Sequence, residues 1–291
     1  MCDKNKKVLI TGADGQLGFE LQRTVPNGYE CIVTDKDNLD ITDADAVNAF
    51  ISNQKPDVII NSAAYTAVDK AEEEVDLATA INATGAENLA QACKDNNIQF
   101  MQISTDFVFD GKGHTPYLVD SPAKPEGMYG ITKQKGDELV QQILGDDAFI
   151  IRTSWLYSAH GNNFVKTMLR FMAEREELSI IADQIGTPTW ANSLAQAVWV
   201  AVENNVTGMH HWSDAGVASW YDFAYAIMEE GVALGLLDKT ITLNAITTAD
   251  YPTPASRPCY SVMDKTTTWK ALDKKSEHWR VALRQMMSEL V

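Results

Sequence analysis

Over the first half of the chain, short apolar runs alternate with longer stretches whose apolar positions recur every three or four residues. Lys7–Thr11, Tyr29–Thr34, Asp57–Ile60, Gln99–Ser104 and Ala148–Thr153 are each short and rich in β-branched or apolar residues. Each is followed by a polar or glycine-bearing turn, so they predict buried strands. The amphipathic stretches between them fall at about Gln16–Val25, Ala44–Asn53, Leu77–Asn96 and Met128–Leu144. This alternation predicts a doubly wound α/β fold, a parallel sheet with helices on both faces. Ligands of such sheets bind beyond the carboxyl ends of the strands.

After about residue 155 the rhythm changes. A helix at Asn163–Arg175 leads into Leu178–Ala182, then Thr187-Pro188-Thr189, a helix rich in Trp and Ala from Ser193, and a loop-rich tail containing Tyr251-Pro252-Thr253-Pro254. The change predicts a nucleotide-binding domain over 1–155. A smaller, mainly substrate-binding region over 156–291 returns some elements to the sheet. No Gly/Ser linker separates the two, so they should pack closely.

Composition narrows the function classes. The chain has 291 residues, 45% of them hydrophobic, which is ample for a sizeable core. No run approaches the roughly 18 apolar residues of a membrane span. The basic start, Met1 to Lys7, is followed only by Val8-Leu9-Ile10 before Thr11-Gly12, too little for a signal sequence. These features predict a cytoplasmic protein. A net charge of −16 argues against nucleic acid and anionic membranes as partners. Cys2, Cys31, Cys93 and Cys259 have no paired spacing and read as reduced thiols.

Thr11-Gly12-Ala13-Asp14-Gly15-Gln16-Leu17-Gly18 sits between a predicted strand and a predicted helix. Glycines there permit a tight turn and close approach of the backbone to a pyrophosphate, and the helix start supplies free N–H groups. Gly12 and Gly15 are therefore candidate cofactor contacts. Asp35 closes the second strand about 20 residues on, where an acid accepts hydrogen bonds from an adenosine ribose. An acid there repels a 2′-phosphate and favours NAD over NADP, although Lys36 beside it softens that repulsion. Asp40-Ile41 is the next candidate contact near the adenine.

Ser104-Thr105-Asp106 ends the fourth strand, and Tyr129 and Lys133 project from one face of the next helix. A neighbouring ammonium and a nicotinamide positive charge would both favour tyrosinate, so the Tyr129 phenol is expected to fall towards working pH. Tyr129 can then protonate a carbonyl oxygen as hydride reaches its carbon, with Thr105 hydrogen-bonded to the same oxygen. A Tyr-x-x-x-Lys pair alone is common on helix surfaces. Its company here, a glycine turn and a strand-end Ser-Thr, gives it meaning.

With these residues in view, the chain resembles the extended short-chain dehydrogenase/reductase family, from residue 7 to about 288. The stretches that carry the resemblance are TGADGQLGFELQ, PDVIINSAAYTAVDKAE, INATGAENLA, STDFVFDG, YGITKQKGDE, RTSWLY, GNNFVKTMLR, DQIGTPT and YPTPASRP. GNNFVKTML and YPTPASRP are not general to short-chain reductases and point to one branch. That branch reduces a dTDP-linked 4-keto-6-deoxy sugar, dTDP-4-dehydro-L-rhamnose, to dTDP-L-rhamnose with NADPH or NADH.

The resemblance implies a Rossmann-type sheet, with Tyr129 as proton donor and Lys133 as its partner and a nicotinamide-ribose ligand. It puts Gln16 and Leu17 beside Gly15 at the cofactor, Ala64, Tyr65 and Thr66 on the nicotinamide side, and Thr105, Asp106 and Trp155 on the nucleotide-sugar. It implies a monomer or homodimer.

Departures from the family pattern are Tyr65, where His is frequent, and Phe107, where Tyr is. Some relatives dimerise through metal-bridged acids. Glu20 could match one such acid, but Asn192 falls where another is expected, so no metal is predicted. Two other readings exist: a nucleotide-sugar 4,6-dehydratase or epimerase, and a non-catalytic regulatory subunit resembling the methionine adenosyltransferase β subunit. Dehydratases carry Thr-Asp-Glu, and Phe107 stands in place of that Glu.

Arg257, flanked by prolines, is a candidate clamp for a substrate phosphate. Asp69, Lys70 and Glu72 read as a helix cap and surface charges, with a substrate-facing role for Lys70 as the alternative. His210-His211 reads as packing, because adjacent histidines point apart and no carboxylate spacing completes a metal site. Trp199, Trp212 and Trp220 fit core or inter-domain packing.

Overall fold

The computed structural model describes residues 5–291. Cys2 and most of the basic start therefore lie outside the described residues.

Six parallel strands form the main sheet. Five are β1 (Lys6–Thr11), β2 (Tyr29–Thr34), β3 (Val58–Asn61), β4 (Gln99–Thr105) and β5 (Phe149–Thr153), and Gly208–His211 is the sixth. Their order across the sheet is Gly208–His211, β5, β4, β3, β1, β2. Val8, Leu9 and Ile10 are fully buried, as a central strand covered on both faces requires.

One face packs against the Ala191–Glu203 helix through Leu194 and Val198, with Leu17 and Leu21 alongside. The other face packs under the helices Ala44–Gln54 and Gly85–Asn96 through Val47, Ile51 and Leu89. A separate core joins Tyr157, Met168, Phe223, Ile227 and Leu283.

The chain runs β1 to β2 on one side and then crosses to β3 on the other. The sheet's direction of winding therefore reverses between β1 and β3, where such folds open a crevice.

Three elements differ from expectation. The predicted helix Leu77–Asn96 begins at Val75 and is interrupted by a π turn over Ala80–Thr84 before continuing as Gly85–Asn96. Gly208–His211, four residues without an apolar run, becomes a strand because it completes the open edge of β5. The tail is not loop-rich throughout: helices cover Trp220–Ala233, Thr266–Leu272 and Trp279–Ser288, and Thr242–Ile246 pairs with Glu177–Ile181.

No described helix is long and apolar enough to cross a membrane.

Candidate active site

At the β1–β3 crevice the glycine turn closes tightly. Gly12 has φ +66, and a Cβ there would lie 2.7 Å from the Ala63 backbone after β3. A Cβ on Gly18 would overlap the Gly12 carbonyl oxygen, so the helix can approach the turn only without one. Gly15 caps the Gln16–Arg23 helix without a side-chain bond to its free N–H groups, and no acid occupies the first turn. Free donors, a positive dipole end and a cradle that a Cβ would fill suit a diphosphate.

The turn forms one end of a cavity of about 960 Å³. Gly12, Gly15, Gln16, Leu17, Asp35, Asp40, Ile41, Ala64 and Thr66 line it, and so do Thr105, Asp106, Tyr129, Lys133 and Trp155. Two candidates do not. Tyr65 turns its hydroxyl to Glu74, donating at 2.6 Å, while its backbone exchanges hydrogen bonds with the Asn82 side chain. Arg257 lines a second cavity and is held by both oxygens of Asp69, at 3.0 and 2.7 Å.

Asp35 and Asp40 also shape their end of the cavity locally. Asp35 accepts from the Asp37 backbone N–H, and Asp40 accepts from the backbone and hydroxyl of Thr42.

The Met128–Leu144 helix carries Tyr129 and Lys133. Its first N–H groups have no local cap; instead Glu72, distant in sequence, accepts from the Met128 N–H at 2.8 Å. Asn82 holds the same helix by donating to Thr132 Oγ1. Neither Glu72 nor Asn82 could be placed by local pattern, since their partners lie many residues away. A π turn at a site of function is a recurrent feature, and here it aims Asn82 at both neighbours.

Lys133 is buried and donates to the Ile103 carbonyl at 2.6 Å; burial lowers its pKa. Tyr129 shifts the other way. Burial pushes its phenol up to about 12 despite a hydrogen bond with Thr105, and the carboxyls of Asp106 and Asp137 push the same way. The Lys133 ammonium, turned to Ile103, does not offset them. At neutral pH Tyr129 is therefore a neutral phenol with a proton to give.

Asp106 is buried with its pKa raised to about 6, opposed by hydroxyls of Ser261 and Thr105, and its Oδ2 has no partner. Phe107 packs edge-on against Tyr129 with centroids 5.4 Å apart. It has no acid to offer there.

Trp155 adopts φ +45, an uncommon conformation for a bulky residue, and stacks on Trp220 at 3.7 Å. Strain of this type persists where the surroundings demand it. Gly186 makes room, because a Cβ there would lie 2.6 Å from the Trp155 ring. Trp220 lines the second cavity, of about 600 Å³, with Phe164, Met168, Phe171, Arg175 and Arg257. The tryptophan stack thus has one ring lining each cavity.

Elsewhere, Glu20 is fully buried and accepts from Ser158 Oγ at 2.7 Å and Asn192 Nδ2 at 2.9 Å. Its oxygens are bound within the chain. Among the described residues no group of three or more His, Cys, Asp or Glu could hold a metal ion. His210 and His211 are buried in the edge strand, as are Trp199 and Trp212 in the core. Lys70 is exposed and lines neither cavity.

The family model described as "RmlD substrate binding domain" matches residues 6–291. A dTDP-4-dehydrorhamnose reductase of Aggregatibacter actinomycetemcomitans is 42% identical over 288 residues, covering 96% of this chain and 98% of that one. A crystal structure of the Clostridium acetobutylicum dTDP-4-dehydrorhamnose reductase superposes with a TM-score of 0.92 at 40% identity, over 98% of this chain and 99% of that one. The Bacillus anthracis dTDP-4-dehydrorhamnose reductase, solved in complex with NADP, gives a TM-score of 0.92 at 36% identity with the same coverage.

Proposed function

This chain belongs to the RmlD substrate-binding-domain family, and on that premise we propose that it reduces dTDP-4-dehydro-L-rhamnose to dTDP-L-rhamnose with NADPH or NADH. One observation carries the reading: the glycine turn, Thr105, Tyr129 and Lys133 line a single cavity.

The dinucleotide, when bound, supplies hydride to the position-4 carbon. Gly12, Gly15, Gln16 and Leu17 would hold its diphosphate, Asp35, Asp40 and Ile41 its adenosine, and Ala64, Thr66 and the Tyr65 backbone the nicotinamide side. Lys133 serves the nicotinamide ribose.

Tyr129 gives its phenolic proton to the sugar oxygen as that oxygen gains charge, and Thr105 hydrogen-bonds the same atom. Asp106, which lines the same cavity, would face the nucleotide-sugar. Trp155 bounds the sugar, and the nucleotide extends past the Trp155–Trp220 stack to the second cavity. There Arg257 exchanges Asp69 for a substrate phosphate. Residues 1–155 thus serve the cofactor and 156–291 mainly the substrate, in a cytoplasmic monomer or homodimer.

The test is incubation of purified protein with the ketosugar and either reduced cofactor. Oxidation of the cofactor with formation of dTDP-L-rhamnose is expected. Absence of oxidation with both cofactors would overturn the reading, and tightly held NAD⁺ with epimerised product would replace it.

A further inference from the structure

Lys133 presents a physical problem that the reaction scheme leaves unsolved. Its ammonium has three donors and is almost wholly buried, yet its one hydrogen-bond partner is the neutral carbonyl of Ile103. A buried ammonium so poorly paired tends to lose its proton. Something nearby must favour the charge.

One turn further along the same helix lies Asp137, also buried. Ser104, the residue after Ile103 in β4, donates to Asp137 Oδ2 through its hydroxyl. The other oxygen, Oδ1, is buried with no partner. Opposite Ser104 in the sheet stands Arg152 on β5, itself buried, with an unpartnered Nε and its guanidinium 5.2 Å from the Phe109 ring. The titratable groups facing Asp137 are therefore Tyr129, Lys133 and Glu138 on its own helix and Arg152 from the sheet.

We infer that Asp137 is a positioning residue for the reaction. Tethered by Ser104, its carboxylate is the counter-ion that keeps buried Lys133 protonated. The i, i+4, i+8 spacing of Tyr129, Lys133 and Asp137 puts all three on one helix face. Burial and Coulomb attraction oppose one another here. Burial pushes Lys133 down and Asp137 up, and each charge offsets the other's shift.

The inference rests on the reading of Tyr129 and Lys133 as the reacting pair. Asp137→Asn keeps the shape and an acceptor for Ser104 but removes the charge. Its kcat should fall about 10-fold with little change in KM for the ketosugar, and the alkaline limb of the kcat–pH profile should move down by about one unit. Ser104→Ala, which leaves the carboxylate but frees it, should give a smaller shift in the same direction. Asp137→Glu should restore part of the limb.

An unmoved alkaline limb in Asp137→Asn overturns the inference, whether kcat is unchanged or reduced, since a purely structural loss lowers kcat without displacing the limb. Wild-type turnover that Tyr129→Phe leaves intact would instead sink the underlying reading.

Discussion

The two cavities are built from different material. The first is made largely of backbone: strand ends, a helix N-terminus, and glycines whose missing Cβ atoms create the space. Its Thr105 and Lys133 are buried on regular elements, and Tyr129 beside them is half-buried. The second is made of side chains, with aromatic and thioether surfaces and two arginines on helix and loop. Backbone geometry suits a diphosphate and hydride chemistry common to many reductases, whereas side-chain surfaces decide which substrate is held. Substitutions at the two ends should therefore fail in separable ways.

The largest separable effect is expected at Gly18. A side chain there must displace the Gly12–Ala13 backbone. Gly18→Val should weaken cofactor binding on the order of 100-fold, equivalent to roughly 3 kcal/mol of charge-assisted hydrogen bonds. Affinity for dTDP should hardly change, and calorimetric titration of each ligand checks both. Equal losses for both ligands would erase the distinction between the cavities.

Arg257→Ala is the converse. KM for the ketosugar should rise about 10-fold with NADPH affinity unchanged, as steady-state kinetics would measure. A loss confined to NADPH would assign Arg257 to the wrong ligand. Asp69→Asn sharpens the point. Arg257 holds the Asp69 carboxyl below its ordinary range, so the pair stabilises above the unfolded carboxylate pKa and fades as pH falls through the folded one. The Asp69 side chain is 41% exposed, so the stability change should stay within ~1 kcal/mol. Freed Arg257 should, if anything, bind substrate more tightly.

The last effect, on stability alone and not on either ligand, concerns His211, on the edge strand beside β5. Burial pushes its pKa down to about 3, so between that value and its ordinary one the unfolded chain binds a proton that the native chain refuses. Stability falls as pH drops through that window, by at most ~1.4 kcal/mol per unit from this one group. His211→Gln should flatten the acid limb of a denaturation series without touching turnover. An unchanged limb would show that His211 is not its source.

Local signals explain what the sequence disclosed. Tyr29–Thr34 and Met128–Leu144 match their expected bounds, because a run of β-branched residues and an amphipathic repeat each carry their own period. The glycine turn was legible for the same reason. The Trp220–Ala233 helix carries a local signal too: Ser219 and Asp222 form a capping box. Asp137 was equally readable, four residues after Lys133.

Other features had no local trace. Gly208–His211 is a strand only because β5 offers an edge. Glu72 caps a helix that begins at Met128, and Asp69 finds Arg257 across the fold. The Tyr129 phenol stands above its ordinary value for a related reason: burial and two carboxyls outweigh an ammonium that faces elsewhere.

The central claim is that Tyr129, a half-buried neutral phenol, gives the proton that completes carbonyl reduction. Single-turnover oxidation of bound NADPH by the ketosugar, compared between the native chain and Tyr129→Phe, tests it most directly. A rate lower by about 10²- to 10⁴-fold, with NADPH affinity nearly intact, is the predicted result. A phenylalanine variant that oxidises NADPH at the native rate would contradict it.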